Sequence, residues 1–325
     1  MLTINYPKPT QSKQHGTTPK IATHGPEIVG PFVDYLSITV SRKTPNMFAP
    51  HKNAEAWLAY ISEKLSNSGD QFFGVKKVNG GVRFRISITD QKPKRFPRIA
   101  INCHKSPFLK LDLNPTKIGG DGFTQLREAL KQILPDGLST FATHGKVTRI
   151  DAALDLRPMA IDDMLALQDQ TKTYRSYALK GKLETIYFGK RRGNHTRIYD
   201  KTKEQAKKGR SLASETIRVE RVLRNTKLKL SNLASLSNAF NGMHLLCHVW
   251  PEPPKSIEPK AYLWRLFVSA CTHEGTDVAL KWLHDDKRIT YRKYLKEQTH
   301  DWWKPQLIWE KWPDTAKELF ASFCN

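Results

Sequence analysis

"ETIYFGKRRGNHTRIYDK", residues 184–201, reads as a hairpin: two strand-like runs joined by a tight basic turn, GKRRGN. Side chains alternate along a strand, so parity decides which of them share a face. In the second run Arg197, Tyr199 and Lys201 share parity, with Ile198 opposed. A tyrosine between two cations has two readings. It is a packing or DNA-stacking residue, or it is a nucleophile held against a phosphate.

The same rule extends to two further segments. In "KVTRIDAALDL" (146–156), Arg149, Asp151, Ala153 and Asp155 face one way and Ile150, Ala152 and Leu154 the other. In "TIRVERVLR" (216–224), Arg218, Glu220 and Arg224 oppose Ile217, Val219 and Leu223. Three strands can thus lay carboxylates, cations and one tyrosine on a single side of a sheet whose other side is apolar. Taken alone, the alternating aspartates also fit a solvated face, and Glu220 an ordinary ion pair.

Working outward, "VDYLSITV" (33–40), "RIAINC" (98–103) and "FLKLDL" (108–113) read as strands. "FFGVKKVNGGVRFRISITD" (72–90) reads as a hairpin turning at Asn79-Gly80-Gly81. "AEAWLAYISEKL" (54–65), "GFTQLREALKQIL" (122–134) and "IDDMLALQDQ" (161–170) read as helices. The order predicts an α+β fold: a largely antiparallel sheet with helices on one side. Residues 1–30 read as a flexible polar tail and 31–248 as the main domain. "VWPEPPKSIEPK" (249–260) reads as a proline-rich linker, and the tryptophan-rich segments of 261–325 as a small helical domain.

The chain of 325 residues carries a formal charge of +22. Between Lys172 and Lys229 there are 18 Lys and Arg against 5 Asp and Glu, 18 − 5 = +13. An excess so placed points to nucleic acid as the partner, with binding that weakens steeply in salt. The four cysteines form no CxxC pair, which suits a reducing cytosol. No apolar run approaches the roughly 18–20 residues of a membrane span, and the N-terminus lacks a signal-peptide core.

The polar face suits phosphoryl transfer, which needs a nucleophile, charge stabilisation around phosphorus and usually a divalent metal. Carboxylates suit Mg²⁺ or Mn²⁺. A phenol of pKa about 10 is only about 0.1% ionised at pH 7. Arg197 and Lys201 nearby act to lower that pKa. Other motifs offer less. His244 and His248, four apart in "HLLCH", would put two metal ligands on a helix face, without the glutamate of HExxH or a further ligand nearby. "NGGVRF" has neither a phosphate-loop lysine–threonine pair nor GxGxxG. The tryptophans Trp302, Trp303, Trp309 and Trp312 read as core before base-stacking platforms.

"VDYLSITV", "RIDAALDL", "YFGKRRGNHTRIYDKTKEQ" and "IRVERVLR" occur in the order seen in rolling-circle replication initiation factors of the Rep_trans type, which the segment from Val33 to Arg224 resembles. These proteins are encoded by plasmids and filamentous phages. The histidine pair of HUH nucleases is absent from this chain. The resemblance implies that Tyr199 is a nicking nucleophile, with Arg197 and Lys201 beside it on the phosphate. It also implies a divalent Mg²⁺ or Mn²⁺ held by Asp151, Asp155 and Glu220. Arg149, Lys190, Arg191, Arg192, Arg218 and Arg224 would contact DNA. The implied partner is supercoiled origin DNA with a hairpin that leaves the nick site single-stranded. A homodimer, a host helicase and polymerase, and a bacterial cytoplasm follow by the same analogy. A relaxase of a mobile element with the same chemistry, a non-catalytic DNA-binding regulator and a structural RNA-binding protein are the competing readings.

Overall fold

The computed structural model describes residues 25–41, 53–67, 72–78, 81–89, 97–102, 108–171, 173–179, 182–247 and 252–324. Most of the expected tail, the Asn79-Gly80 turn, Cys103, His248 and the start of the proline-rich segment lie outside these residues. Twelve strands are described: β1 (Glu27–Ser41), β2 (Phe72–Val78), β3 (Gly81–Ile86), β4 (Arg98–Asn102), β5 (Phe108–Leu113), β6 (Lys146–Arg157), β7 (Met164–Gln168), β8 (Tyr174–Leu179), β9 (Lys182–Phe188), β10 (His195–Asp200), β11 (Ile217–Arg224) and β12 (Met243–Cys247). The helices are α1 (Ala54–Asn67), α2 (Pro115–Lys131), α3 (Ser139–His144), α4 (Lys201–Ala206), α5 (Ala261–Glu274), α6 (Thr276–Lys281), α7 (Asp285–Glu297), α8 (Pro305–Trp309) and α9 (Trp312–Cys324).

Ten strands form one antiparallel sheet in the order β2-β3-β4-β5-β1-β6-β11-β10-β9-β8. The hairpins expected at 72–90 and 184–201 are both present. β6 lies inside the sheet, between β1 and β11, which is why its apolar residues Ile150, Ala152 and Leu154 are fully buried. On this face Leu36, Ile38 and Val147 pack against Trp57 of α1, Leu126 of α2 and Trp312 of α9. Further along, Leu154, Ile198, Val219 and Phe188 pack against Met164, Leu245 and Trp303.

Two segments expected to be helical are strands. Residues 164–168 of "IDDMLALQDQ" form β7, after a short 3-10 turn at Ile161–Asp163, and residues 244–247 of "HLLCH" belong to β12. The two strands pair as a separate ribbon lying between other layers. Met164, Ala166, Met243 and Leu245 face the large sheet, while Leu165, Leu167 and Leu246 meet Trp264 of α5 and Tyr291 of α7. A strand covered on both faces loses polar alternation and reads as a continuous apolar run. His244 thus lies on a strand and not on the helix expected for it, and His248, its expected co-ligand, lies outside the described residues. His244 instead bonds Thr299 Oγ1 at 3.0 Å.

Strand β1 begins at Glu27, inside the stretch expected as tail. The helices after residue 260 share their cores with the sheet and ribbon: α9 enters the first cluster and α5 to α7 the third. Trp303 and Trp312 are buried, and their indole N–H groups donate to Met243 O (2.8 Å) and Leu233 O (2.9 Å). Buried indoles need such acceptors, and these tryptophans are core. Glu258, from the expected linker, is buried against α7, accepting from Tyr291 Oη at 2.6 Å and from Lys287 Nζ. Among the described residues no helix is long and apolar enough to cross a membrane.

Candidate active site

The face of the sheet away from the hydrophobic clusters carries the polar set read from parity. Direct cross-strand neighbours share a face, and the register makes them pairs: Asp155 with Arg218, Glu220 with Arg197, and Arg218 with Tyr199. The side chains meet accordingly. Arg218 Nε and Nη2 donate to the two carboxylate oxygens of Asp155 at 2.6 and 2.7 Å. Arg197 donates to Glu220 Oε2 from Nη2 at 2.5 Å and from Nε at 3.1 Å. Arg149 clamps Asp151, two residues along its own strand, through Nε at 2.7 Å and Nη2 at 2.5 Å, and lies 4.4 Å from the ring centroid of Tyr35.

Tyr199 stands at the middle of this network. Its Oη donates to Glu220 Oε1 at 2.7 Å, so one carboxylate holds the phenol on one oxygen and Arg197 on the other. The Arg197 guanidinium also covers the tyrosine ring at 4.4 Å. Only 6% of Tyr199 is exposed. Burial, and then the negative charge of Glu220, push the phenol well above its ordinary pKa, against the opposing pull of Arg218 and Arg197. The cations expected to ionise the tyrosine are therefore outweighed, and the phenol is protonated at neutral pH.

The strand ends at Tyr199-Asp200 because Asp200 turns the chain into α4, its Oδ1 accepting from Lys203 N at 2.8 Å as an N-cap. This turn brings Lys201 back over the sheet. Its ammonium donates to Glu204 Oε2 at 2.6 Å and lies 3.5 Å from Tyr199 Oη. Burial first, then Arg218, pulls the Lys201 pKa down to about 8, with Asp34, Asp155 and Glu220 opposing. Lys201 is thus cationic below about pH 8 and neutral above it. A cavity of about 160 Å³ opens beside the tyrosine, walled by Arg197, Lys203 and Lys207 and by Glu184, Asp200 and Glu204.

One residue of the network was not legible as a site residue. Simple alternation of "VDYLSITV" puts Asp34 on the face of Leu36 and Ile38. The register instead runs Val33 to Ala152 and Tyr35 to Asp151, leaving Asp34 as the extra residue of a β-bulge. Val33 and Leu36 both enter the core, and Asp34 turns to the polar face, where Arg218 Nη1 donates to it at 2.7 Å. Lys117, in the first turn of α2, places Nζ 4.0 Å from the same carboxylate.

The carboxylates nominated for a metal are each closed by an arginine, and among the described residues no three acidic, histidine or cysteine side chains gather into a group that could hold an ion. As paired here, Asp151, Asp155 and Glu220 do not fit a divalent cation. The cause is the register, which sets an arginine directly across from, or two residues along from, each of them. The nominated DNA contacts divide likewise. Arg149 and Arg218 are engaged with carboxylates, and the buried Nε of Arg224 has no hydrogen-bond partner. Lys190, Arg191 and Arg192 are exposed at the hairpin turn, with Arg191 5.3 Å from the Tyr187 ring centroid. Tyr187 in turn meets Tyr177 edge-on at 5.6 Å.

Fold and site together define an α+β protein with a buried tyrosine–glutamate pair set among arginines on an antiparallel sheet. No family model matches the chain. It is similar to a replication initiation protein of Staphylococcus aureus, 26% identical over 194 residues, which cover 58% of this chain and 54% of that protein. The chain thus spans about half the length of the curated relative it matches. Among solved structures, a rolling-circle replication initiator protein from Geobacillus stearothermophilus aligns with a TM-score of 0.41 and 14% identity, over 76% of this chain and 97% of that one.

Proposed function

We propose that the protein initiates rolling-circle replication by nicking one DNA strand through Tyr199. The observation that carries this reading is the hydrogen bond from Tyr199 Oη to Glu220 Oε1, with Arg197 fixing the same carboxylate from its other side. A nucleophile, a base within bonding reach and a third group orienting the base form a recurring arrangement for covalent catalysis. The similarity to a replication initiation protein supports the choice of DNA as substrate.

In the proposed step the phenol oxygen attacks phosphorus as its proton passes to Glu220. The bond from phosphorus to the 3′ oxygen breaks, giving a 5′-phosphotyrosine and a strand with a free 3′-OH, which takes a proton from solvent. Because the phenol is not ionised beforehand, proton transfer accompanies attack. Lys201 stands against the transferring phosphate and neutralises its charge. The phosphotyrosine conserves the phosphodiester bond energy, so a later 3′-OH can reverse the reaction and reseal a circle. No step is assigned to a metal, since the carboxylates nominated for one are ion-paired.

The test is incubation with supercoiled plasmid carrying the gene and its flanks, followed by detergent denaturation. Wild type is expected to leave nicked circles with protein on the 5′ end, and Tyr199→Phe to leave none while still binding. Nicking by Tyr199→Phe at the wild-type rate would exclude the tyrosine. Specific binding by wild type without any adduct favours the regulator, for which the low exposure of Tyr199 already speaks.

Lys201 adds a pH signature. The second-order rate of adduct formation reports groups in the free enzyme. That rate is expected to fall as pH rises through about 8, where Lys201 loses its proton. Lys201→Arg moves the alkaline limb upward, since guanidinium keeps its charge. An unchanged profile in Lys201→Arg removes the lysine from the phosphate.

A further inference from the structure

The apolar series of β11 runs Ile217, Val219, Arg221, Leu223, so an arginine stands where the register calls for a core residue. Arg221 is half-buried, and among the described residues it makes no ion pair. Its Nη1 donates to Thr196 Oγ1 at 3.0 Å. Desolvation lowers its pKa with no negative neighbour to offset the effect. A cation taken from water without a counter-charge is costly, and a site for an anion accounts for it. Arg221 lies on the wall of a cavity of about 460 Å³ on the face opposite Tyr199, a volume within the roughly 300–1,000 Å³ of small-ligand sites.

The chemistry of the wall narrows the ligand. Lys190 brings a second cation, Phe188 an aromatic ring, and Gln168, Asn194 and Asn241 bring amides. Gln168 is held in place, accepting from Thr196 Oγ1 at 3.3 Å and donating to Asn241 O at 3.4 Å. The carboxylate on the wall, Asp169, is already taken by Lys296 at 2.7 Å. Cations for a phosphate beside amides for a base edge match a nucleotide. The cavity opens at the hairpin that carries exposed Arg191 and Arg192, which supply charge for neighbouring phosphates. Thr196 and Tyr199 stand on opposite faces of β10, and Tyr199 is five residues, about 17 Å at strand rise, from Asn194 at the hairpin end, so a strand of several nucleotides passing round that end reaches both faces.

We propose that this reverse-face cavity holds one nucleotide of single-stranded DNA, with Arg221 on its phosphate and the amides on its base. The proposal rests on the nucleic-acid reading above and adds a second anchor for the strand delivered to Tyr199.

The experiment uses the full chain and a fluorescent twelve-nucleotide oligo(dT), titrated at several salt concentrations. Arg221→Gln is expected to bind at least tenfold more weakly, with a log K against log[salt] slope shallower by about 0.7, one phosphate contact on a single strand. Asn241→Asp, at an exposed position, keeps the arginine but adds negative charge to the wall, and is expected to weaken binding in the same direction. Photocrosslinking of wild type with 5-iodo-deoxyuridine in the oligomer is expected to label segments 188–194 and 240–242, independently of any variant's folding. Unchanged affinity and slope in both variants, or crosslinks confined to the Tyr199 face, overturn the proposal. So does thymidine monophosphate competing as well as the oligomer, which would mark a free-nucleotide site. Arg221-dependent binding by a protein that forms no plasmid adduct would sink the nickase and leave this site standing. Adduct formation with Arg221-independent binding would do the reverse.

Discussion

Glu220→Gln is expected to slow covalent attachment to DNA by about 10²- to 10⁴-fold at pH 7, the range for losing a positioned general base. The amide keeps the shape of the side chain and an oxygen to accept from Tyr199, so geometry is preserved while the proton acceptor is lost. DNA affinity should not fall, because the substitution removes a negative charge and releases Arg197 from its ion pair. The pH dependence separates this account from a structural one. Glu220 is one of the causes holding the phenol pKa up, so its removal lets Tyr199 ionise at lower pH. Phenolate is the competent nucleophile, and its fraction grows with pH. The ratio of variant to wild-type attachment rate is therefore expected to rise with pH from 7 upward, while both proteins share the loss of Lys201 charge above about pH 8. A variant that attaches at the wild-type rate at pH 7 would remove Glu220 from the reaction.

The second large effect is on stability. Arg218 holds Asp155 through two bonds and Asp34 through a third, all three side chains being at most 19% exposed, and it lies 4.8 Å from the Phe32 ring centroid. Removing one partner from such a network leaves uncompensated buried charge, a loss of about 3–5 kcal/mol. Arg218→Met should show that loss in denaturant unfolding, compared with wild type at equal slope. Combining it with Asp155→Asn should return part of the loss, because residues sharing a network are not additive. Strict additivity of the two substitutions would mean that the bidentate contact contributes little to the folded state.

What the sequence disclosed follows the physics of alternation. The parity of Arg197 and Tyr199, of Asp151 and Asp155, and of Arg218 and Glu220 placed all six on one face, because interior strands of one sheet have no freedom to do otherwise. The failures have equally local causes. Asp34 escaped because a bulge inverts parity, and nothing in "VDYLSITV" marks where an extra residue falls. The ribbon of β7 and β12 escaped because layers above and below hide the polar alternation that identifies a strand. The basic residues were legible as charge but not as pairs. Arg149, Arg197 and Arg218 read as phosphate contacts, yet register sets each beside a carboxylate. Arg221 flanks Glu220 in sequence and so reads as an ion-pair partner, yet register turns it to the apolar face, where it stands without a carboxylate among the described residues.

The central claim is that Tyr199, and no other group, becomes bonded to DNA. The most direct measurement digests the protein–DNA adduct with nuclease and trypsin and reads the nucleotide-bearing peptide by mass spectrometry. Cleavage after Arg197 and after Lys201 isolates the tetrapeptide 198–201, in which Tyr199 is the tyrosine. The account predicts this peptide carrying a nucleotide through its 5′ phosphate, with fragmentation placing the mass on Tyr199. A nucleotide on any other peptide, with 198–201 recovered unmodified in full yield, would contradict it.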